Sequence, residues 1–186
     1  LSKIPPPLLQ REFGKHGLAL WKKAHAIDDR PVEPYSERKS ISAERTFQVD
    51  TTDVRLLKDN TSAMVMQLAY ELRSTGKLTS CVTVKLRYAD FNTFSRQQLI
   101  TYTASDRELT AYADSLFERL YDRRQLIRLI GVKFSHLVHG STQLDLFRDS
   151  EEDIRLLKAM DSIRDRFGNQ VLTKASLIDN NVRKAR

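Results

Sequence analysis

From Cys81 to Tyr88 the chain alternates without interruption: Val82, Val84, Leu86 and Tyr88 at one parity, and Cys81, Thr83, Lys85 and Arg87 at the other. A period of two over eight residues is a β-strand with one apolar and one polar face, and a single strand of this kind needs neighbours in a sheet and a layer over its apolar side. The flanking residues supply both. Asp90–Asn92 read as a turn, and Thr93–Thr103 form a second β-rich segment that pairs back as a hairpin. Upstream, Glu44–Val49 is a short strand. It is followed by a helix over Asp53–Ser74, whose Val54, Leu57, Met64, Leu68 and Leu72 share one stripe, with Gly76 placed as a C-cap. Downstream, Ser105-Asp106-Arg107-Glu108 is a capping box that starts a helix turning Leu109, Ala113, Leu116, Phe117 and Leu120 inward. A last strand is expected from Leu126 to Leu137, with Gly131 as a bulge. The order βαββαβ predicts an α+β domain: a four-stranded split-βαβ sheet with both helices on one face and the other face open.

The sheet domain has appendages. Pro5, Pro6 and Pro7 open a short helix that ends at Gly14, and a second helix is expected after Gly17, with Leu18, Leu20, Trp21 and Ala24 inward. Arg30 to Ser42, with Pro31 and Pro34, reads as a linker. Beyond Gly140 a polar loop leads to a helix over residues 150–167 and a polar tail. The expected organisation is a helical segment 1–30, a linker 31–43, the sheet domain 44–140, a loop 141–149, and a C-terminal helix and tail 150–186.

Composition narrows the function. The 186 residues carry 31 Lys and Arg against 24 Asp and Glu, a formal charge of +7, with mean hydropathy −0.47. Residues 1–30 contribute +3, residues 31–140 another +3 and residues 141–186 the remaining +1. No stretch approaches the roughly 18 apolar residues of a membrane-spanning helix, and no secretory signal opens the chain, so a cytoplasmic monomer is expected, with no membrane partner. The start at Leu1 suggests a piece of a longer protein. One cysteine, Cys81, excludes an internal disulfide, and the histidines at 16, 25, 136 and 139 form no zinc motif. There is no glycine-rich phosphate loop. Asp28-Asp29 precedes a proline, and Glu151-Glu152-Asp153 opens a helix where negative charge suits the macrodipole. No catalytic residue, metal site or cofactor is therefore assigned to this chain. What remains is the basic parity of the central strand, Thr83, Lys85 and Arg87, together with Glu37 to Phe47, which mixes Lys39 and Arg45 with small hydroxyls that approach phosphates closely.

That segment belongs to an ordered series. Phe13-Gly14-Lys15-His16-Gly17, Ala26-Ile27-Asp28-Asp29-Arg30-Pro31-Val32, Glu37 to Phe47, Val84 to Phe91 and Arg128 to Ser135 together resemble the C-terminal half of Y-family translesion DNA polymerases of the bacterial DNA polymerase IV type. The resemblance implies that residues 1 to about 30 are the end of the thumb, a helix-hairpin-helix that grips DNA phosphates, and that residues 36–138 are the little finger, whose sheet contacts both backbones of primer-template DNA. Carried over by position, the DNA-binding residues are Lys15, Lys39, Ser40, Ser42, Arg45, Thr46, Lys85, Arg87, Thr93, Ser95, Arg96 and Arg128. The palm and fingers have no counterpart in these residues, so this chain is expected to be non-catalytic; the resemblance places magnesium in the intact polymerase, a DNA-directed nucleotidyltransferase of DNA repair. Ala26 stands where the family usually has glycine.

Gln143-Leu144-Asp145-Leu146-Phe147 resembles the pentapeptide by which bacterial polymerases dock on the β sliding clamp. Leu146 and Phe147 would drop into an apolar pocket while the Gln143 amide bonds at its rim. Two other readings stay open: an RNA-binding module of the same fold, which needs aromatics such as Tyr88 and Phe94 on the open face, and a clamp adaptor without nucleic-acid affinity.

Overall fold

The computed structural model describes residues 1–33, 37–122, 125–140, 151–168, 171, 172 and 175. The chain divides into two units, Leu1–Glu37 and Arg38–Arg186.

In the first unit, α1 (Pro6–Phe13) and α2 (Lys15–Ala24) are joined at Gly14, whose φ of +57° suits a residue without a side chain. The second helix starts two residues before Gly17 instead of after it. Gly17 is not a breaker: a Cβ there would lie 1.9 Å from the Leu9 carbonyl oxygen, so glycine allows α1 and α2 to touch backbone to backbone. Leu9 is buried in that contact, whereas Leu18 and Leu20, expected inward, are exposed within the unit. α2 ends in a Schellman motif. Ile27 N donates to Lys22 O at 2.9 Å and Ala26 N to Lys23 O at 3.1 Å. The motif needs a left-handed residue, and Ala26 supplies it at φ +57°.

In the second unit the elements are β1 (Ser40–Thr51), α3 (Val54–Ser74), β2 (Lys77–Tyr88), β3 (Thr93–Thr103), α4 (Asp106–Leu120), β4 (Ile127–Ser135), β5 (Val138–His139) and α5 (Glu151–Phe167). The four long strands run in the order β1-β4-β2-β3, antiparallel throughout, and β5 pairs with the start of β2. In each βαβ half the two strands are separated by one strand from the other half, which is the split arrangement read from the sequence. Both starts of helices are capped as their residues dictate. The Asp53 carboxylate accepts from Arg55 N and Leu56 N, and Ser105 Oγ accepts from Glu108 N.

Helices α3 and α4 cover one face. Val82, Val84, Leu86, Ile130, Val132 and Phe134 are at most 1% exposed against Leu57, Leu68, Leu72, Leu109 and Phe117. At about 25 cal/mol per Å2 this apolar layer is the main stabilising term. Several boundaries differ from the sequence reading: β1 runs on to Thr51, and β4 stops at Ser135, short of Leu137, where His136 turns to φ +54°. β1 begins at Ser40, inside the stretch read as linker, because Ser40-Ile41-Ser42-Ala43 has little β character of its own but pairs with Ser135, Phe134, Lys133 and Val132. β2 begins at Lys77, where its partner is the two-residue β5. Gly131 is not a bulge; it pairs in register with both Glu44 and Lys85. The irregularities fall between Thr46 and Thr51 in β1, between Thr79 and Cys81 where β2 meets β3, and where Arg87 and Tyr88 meet Leu129 and Ile127.

Candidate nucleic-acid interface

The register assigns every strand residue to a face. Opposite the helices, four cross-strand rows run from β1 through β4 and β2 to β3: Ser40, Ser135, Cys81 and Leu99; Ser42, Lys133, Thr83 and Gln97; Glu44, Gly131, Lys85 and Ser95; Thr46, Leu129, Arg87 and Thr93. This is the polar parity of β2 extended across the sheet. Seven of the residues expected to hold DNA come together here: Ser40, Ser42, Thr46, Lys85, Arg87, Thr93 and Ser95. Arg87 Nε donates to Thr93 Oγ1 at 2.8 Å, which orients the guanidinium along the end of the face. Lys85 is paired with Glu44.

Arg45 and Arg96 lie elsewhere. Arg45 pairs with Ile130 and Arg96 with Val84, both core residues, so these arginines project to the helix side at the two edge strands. Arg45 Nη1 donates to Asn60 Oδ1 on α3 at 2.7 Å, and the two residues wall a groove with Met64 and Gln67. The linear sequence assigned both arginines by motif position, whereas the face is set by strand parity, and each is an odd number of residues from its open-face neighbours. Arg128 sits at the irregularity of β4, 3.7 Å from Asp50 and with its guanidinium 4.7 Å from the Phe91 ring centre. Lys39 is exposed just ahead of β1, and Lys15 is exposed at the start of α2 in the other unit.

One cation on the open face was not among the expected residues. Lys133 is exposed between Ser42 and Thr83. Its signal was present, since it alternates with the buried Val132 and Phe134, but the nearly continuous apolar run of β4 obscured the period.

The same rows bear on base stacking. None of the sixteen positions is aromatic. Tyr88 is 3% exposed and its hydroxyl donates to Leu120 O at 3.0 Å, while Phe94 lies on the helix side, edge-to-face with Tyr88 at 5.7 Å. The platform required for stacking unpaired RNA bases is therefore missing from this face. Among the described residues no three His, Cys, Asp or Glu side chains converge as a metal site, so they offer no ligand set for the magnesium that the resemblance assigns to intact polymerases. No described helix is long and apolar enough to cross a membrane. The pentapeptide Gln143–Phe147 lies outside the described residues.

On the helix layer, α5 is anchored by charge. Arg73 of α3 donates to both Asp161 oxygens, at 2.6 and 2.9 Å, to Asp106 Oδ1 at 2.5 Å and to Ala104 O at 2.7 Å. Burial works against the Arg73 charge, yet the bonds to Asp161 and the proximity of Asp106 outweigh it and strengthen the protonated form. Arg164, 4% exposed, approaches Asp161 at 3.4 Å and Asp106 at 4.0 Å, and the Tyr70 hydroxyl donates to Asp165.

Fold and face define a two-layer α+β domain whose helices bury one side of an antiparallel sheet and whose other side presents hydroxyls and cations. Residues 38–146 match the impB/mucB/samB family C-terminal domain. The chain belongs to that family, the Y-family polymerases, and its second unit carries their C-terminal, little-finger domain. It is 33% identical over 185 residues to a DNA polymerase IV of Clostridium acetobutylicum, covering 96% of this chain and 46% of that protein. It is 36% identical over 170 residues to a DNA polymerase IV of Dehalococcoides mccartyi, covering 90% and 44%. The chain thus spans less than half the length of these curated relatives.

Proposed function

We propose that this chain is the DNA-holding and clamp-docking part of a translesion DNA polymerase, gripping primer-template DNA through its phosphate backbones. The observation that carries the reading is the open sheet face, where Lys85, Arg87 and Lys133 stand among Ser40, Ser42, Thr46, Thr83, Thr93 and Ser95 with no aromatic group between them. Cations neutralise phosphates, and short hydroxyls let the sheet approach the backbone without reading bases. Lys15, Lys39, Arg45, Arg96 and Arg128 would extend the contacts beyond that face. In this reading residues 1–30 are the end of the thumb, 44–140 the little finger, 141–149 the clamp-docking loop and 150–186 a C-terminal extension, and the nucleotidyl transfer belongs to segments not represented in these residues.

The test is binding of the whole chain to labelled primer-template duplex across a salt series. Log affinity should fall linearly with log salt, with a slope of about −0.9 per phosphate neutralised, and duplex DNA should be preferred to single-stranded RNA. An affinity indifferent to salt would overturn the reading. For the clamp, sequence alone supports Gln143, Leu144, Asp145, Leu146 and Phe147 as the docking segment. Replacing Leu146 and Phe147 together by alanine should abolish clamp binding with duplex binding intact; undiminished clamp binding would reject the assignment.

A further inference from the structure

Among the sixteen positions of these rows the one carboxylate is Glu44, in the third row. Glu44 on edge strand β1 and Lys85 on β2 are not neighbours in the sheet, since β4 runs between them, yet they form an ion pair. The residue between them is Gly131, in register with both. A Cβ built on Gly131 would lie 2.9 Å from Glu44 Cγ and 3.4 Å from its Cδ. The Glu44 side chain therefore lies flat across the bare backbone of Gly131, and only glycine leaves that path open. Neither partner is deeply buried: the side chains of Lys85 and Glu44 are 31% and 43% exposed. Such a pair contributes little to stability, about 0–1 kcal/mol, so fold stability is a weak reason for placing a carboxylate and a bare glycine at the centre of an otherwise cationic face.

We propose that Glu44 is an internal competitor for phosphate: lying across Gly131, it occupies Lys85 in the free protein and must give up that lysine before Lys85 engages a DNA backbone. The proposal rests on the reading of this face as the DNA-holding surface. Glu44 and a phosphate oxygen present the same charge to the same ammonium group, so they exclude one another, and the pair lowers affinity for every sequence alike. The consequence is a grip loose enough to slide, with Lys85 held back as a reserve contact. Gly131 acts through Glu44 by keeping its path clear.

The test uses the full chain, duplex primer-template DNA and a salt series, with Glu44→Gln, Gly131→Ala, Lys85→Met and Glu44→Gln combined with Lys85→Met. Glu44→Gln should tighten binding by about threefold to tenfold at low salt and steepen the salt slope by about 0.9, the signature of one more phosphate neutralised. Gly131→Ala should displace Glu44 and move affinity in the same direction; circular dichroism and the melting temperature report whether that variant is folded, and Glu44→Gln decides the question if it is not. In the Lys85→Met background, Glu44→Gln should produce almost no gain. A full gain there would mean that Glu44 acts as a general negative charge, and no gain from Glu44→Gln alone would mean that it does not compete; either result overturns the proposal. Absence of duplex binding by the unaltered chain at low salt would instead refute the DNA reading beneath it.

Discussion

Arg73→Ala probes how α5 is held. The guanidinium makes four hydrogen bonds at 2.5 to 2.9 Å, three of them to carboxylates, and its side chain is 15% exposed while those of Asp106 and Asp161 are 9% and 18% exposed. Truncation leaves two largely buried carboxylates close together, with the more distant Arg164 to offset them. Removing one partner of a buried pair costs about 3–5 kcal/mol, and the partial exposure of Asp161 places this case at about 3 kcal/mol. Domains of this size have total stabilities of about 5–15 kcal/mol, so the sheet should survive, with the melting temperature lower by roughly 6–12 °C. If α5 detaches before the sheet unfolds, proteases should cut at Arg155, Lys158 or Arg164 in the variant under conditions that spare the unaltered chain. Duplex DNA affinity should not change, since the cluster lies on the helix layer. A loss below about 1 kcal/mol in urea unfolding, with an unchanged cleavage pattern, would refute the reasoning, because it would mean that water already screens the cluster. A double-mutant cycle with Asp161→Asn should return a coupling of about 1–3 kcal/mol.

Lys133→Ala should weaken duplex binding and reduce the salt slope by about 0.9, measured by fluorescence anisotropy, with melting temperature unchanged because the side chain is exposed. Ala26→Gly should stabilise the end of α2 by about 1 kcal/mol, since alanine there is held at φ +57°; slower amide exchange at Ala26 and Ile27 checks it. Gly17→Ala should separate α1 from α2, because the added methyl would overlap the Leu9 carbonyl, and helical circular dichroism should fall. The Asp28 carboxyl is held well below the usual carboxylate range, first by the side-chain bonds from Arg30 at 2.5 and 2.8 Å and then by the Arg30 amide. Because its folded value lies below the unfolded one of about 3.9, the contact stabilises above that pH and the contribution is lost as pH falls from there through the folded value. Carbon-detected titration should find Asp28 ionised at about pH 3, where ordinary carboxyls are largely protonated.

The local chemistry of this chain was legible in its sequence. The alternation at Cys81–Tyr88 determined that β2 has an apolar and a polar face, Asp53 and Ser105 determined where α3 and α4 begin, and the stripes of Leu57, Leu68, Leu72, Leu109 and Phe117 determined which sides of those helices are buried. These features depend on residues within one or two turns of each other, which is the range over which side-chain period and capping act. What lies across strands was not legible. Only the register between β1, β4, β2 and β3 decided that Lys133 joins Lys85 and Arg87 on the open face, that Arg45 and Arg96 turn toward the helices, and that Gly131 is a passage for Glu44 instead of a bulge. A shift of one residue in pairing reverses every side chain of a strand, and the register of β4 against β1 and β2, which lie far from it along the chain, is set by how whole faces pack. The attachment of α5 is of the same kind: Arg73, Asp106 and Asp161 are unremarkable charges along the chain, and they become a cluster only where three helices bring them within bonding distance.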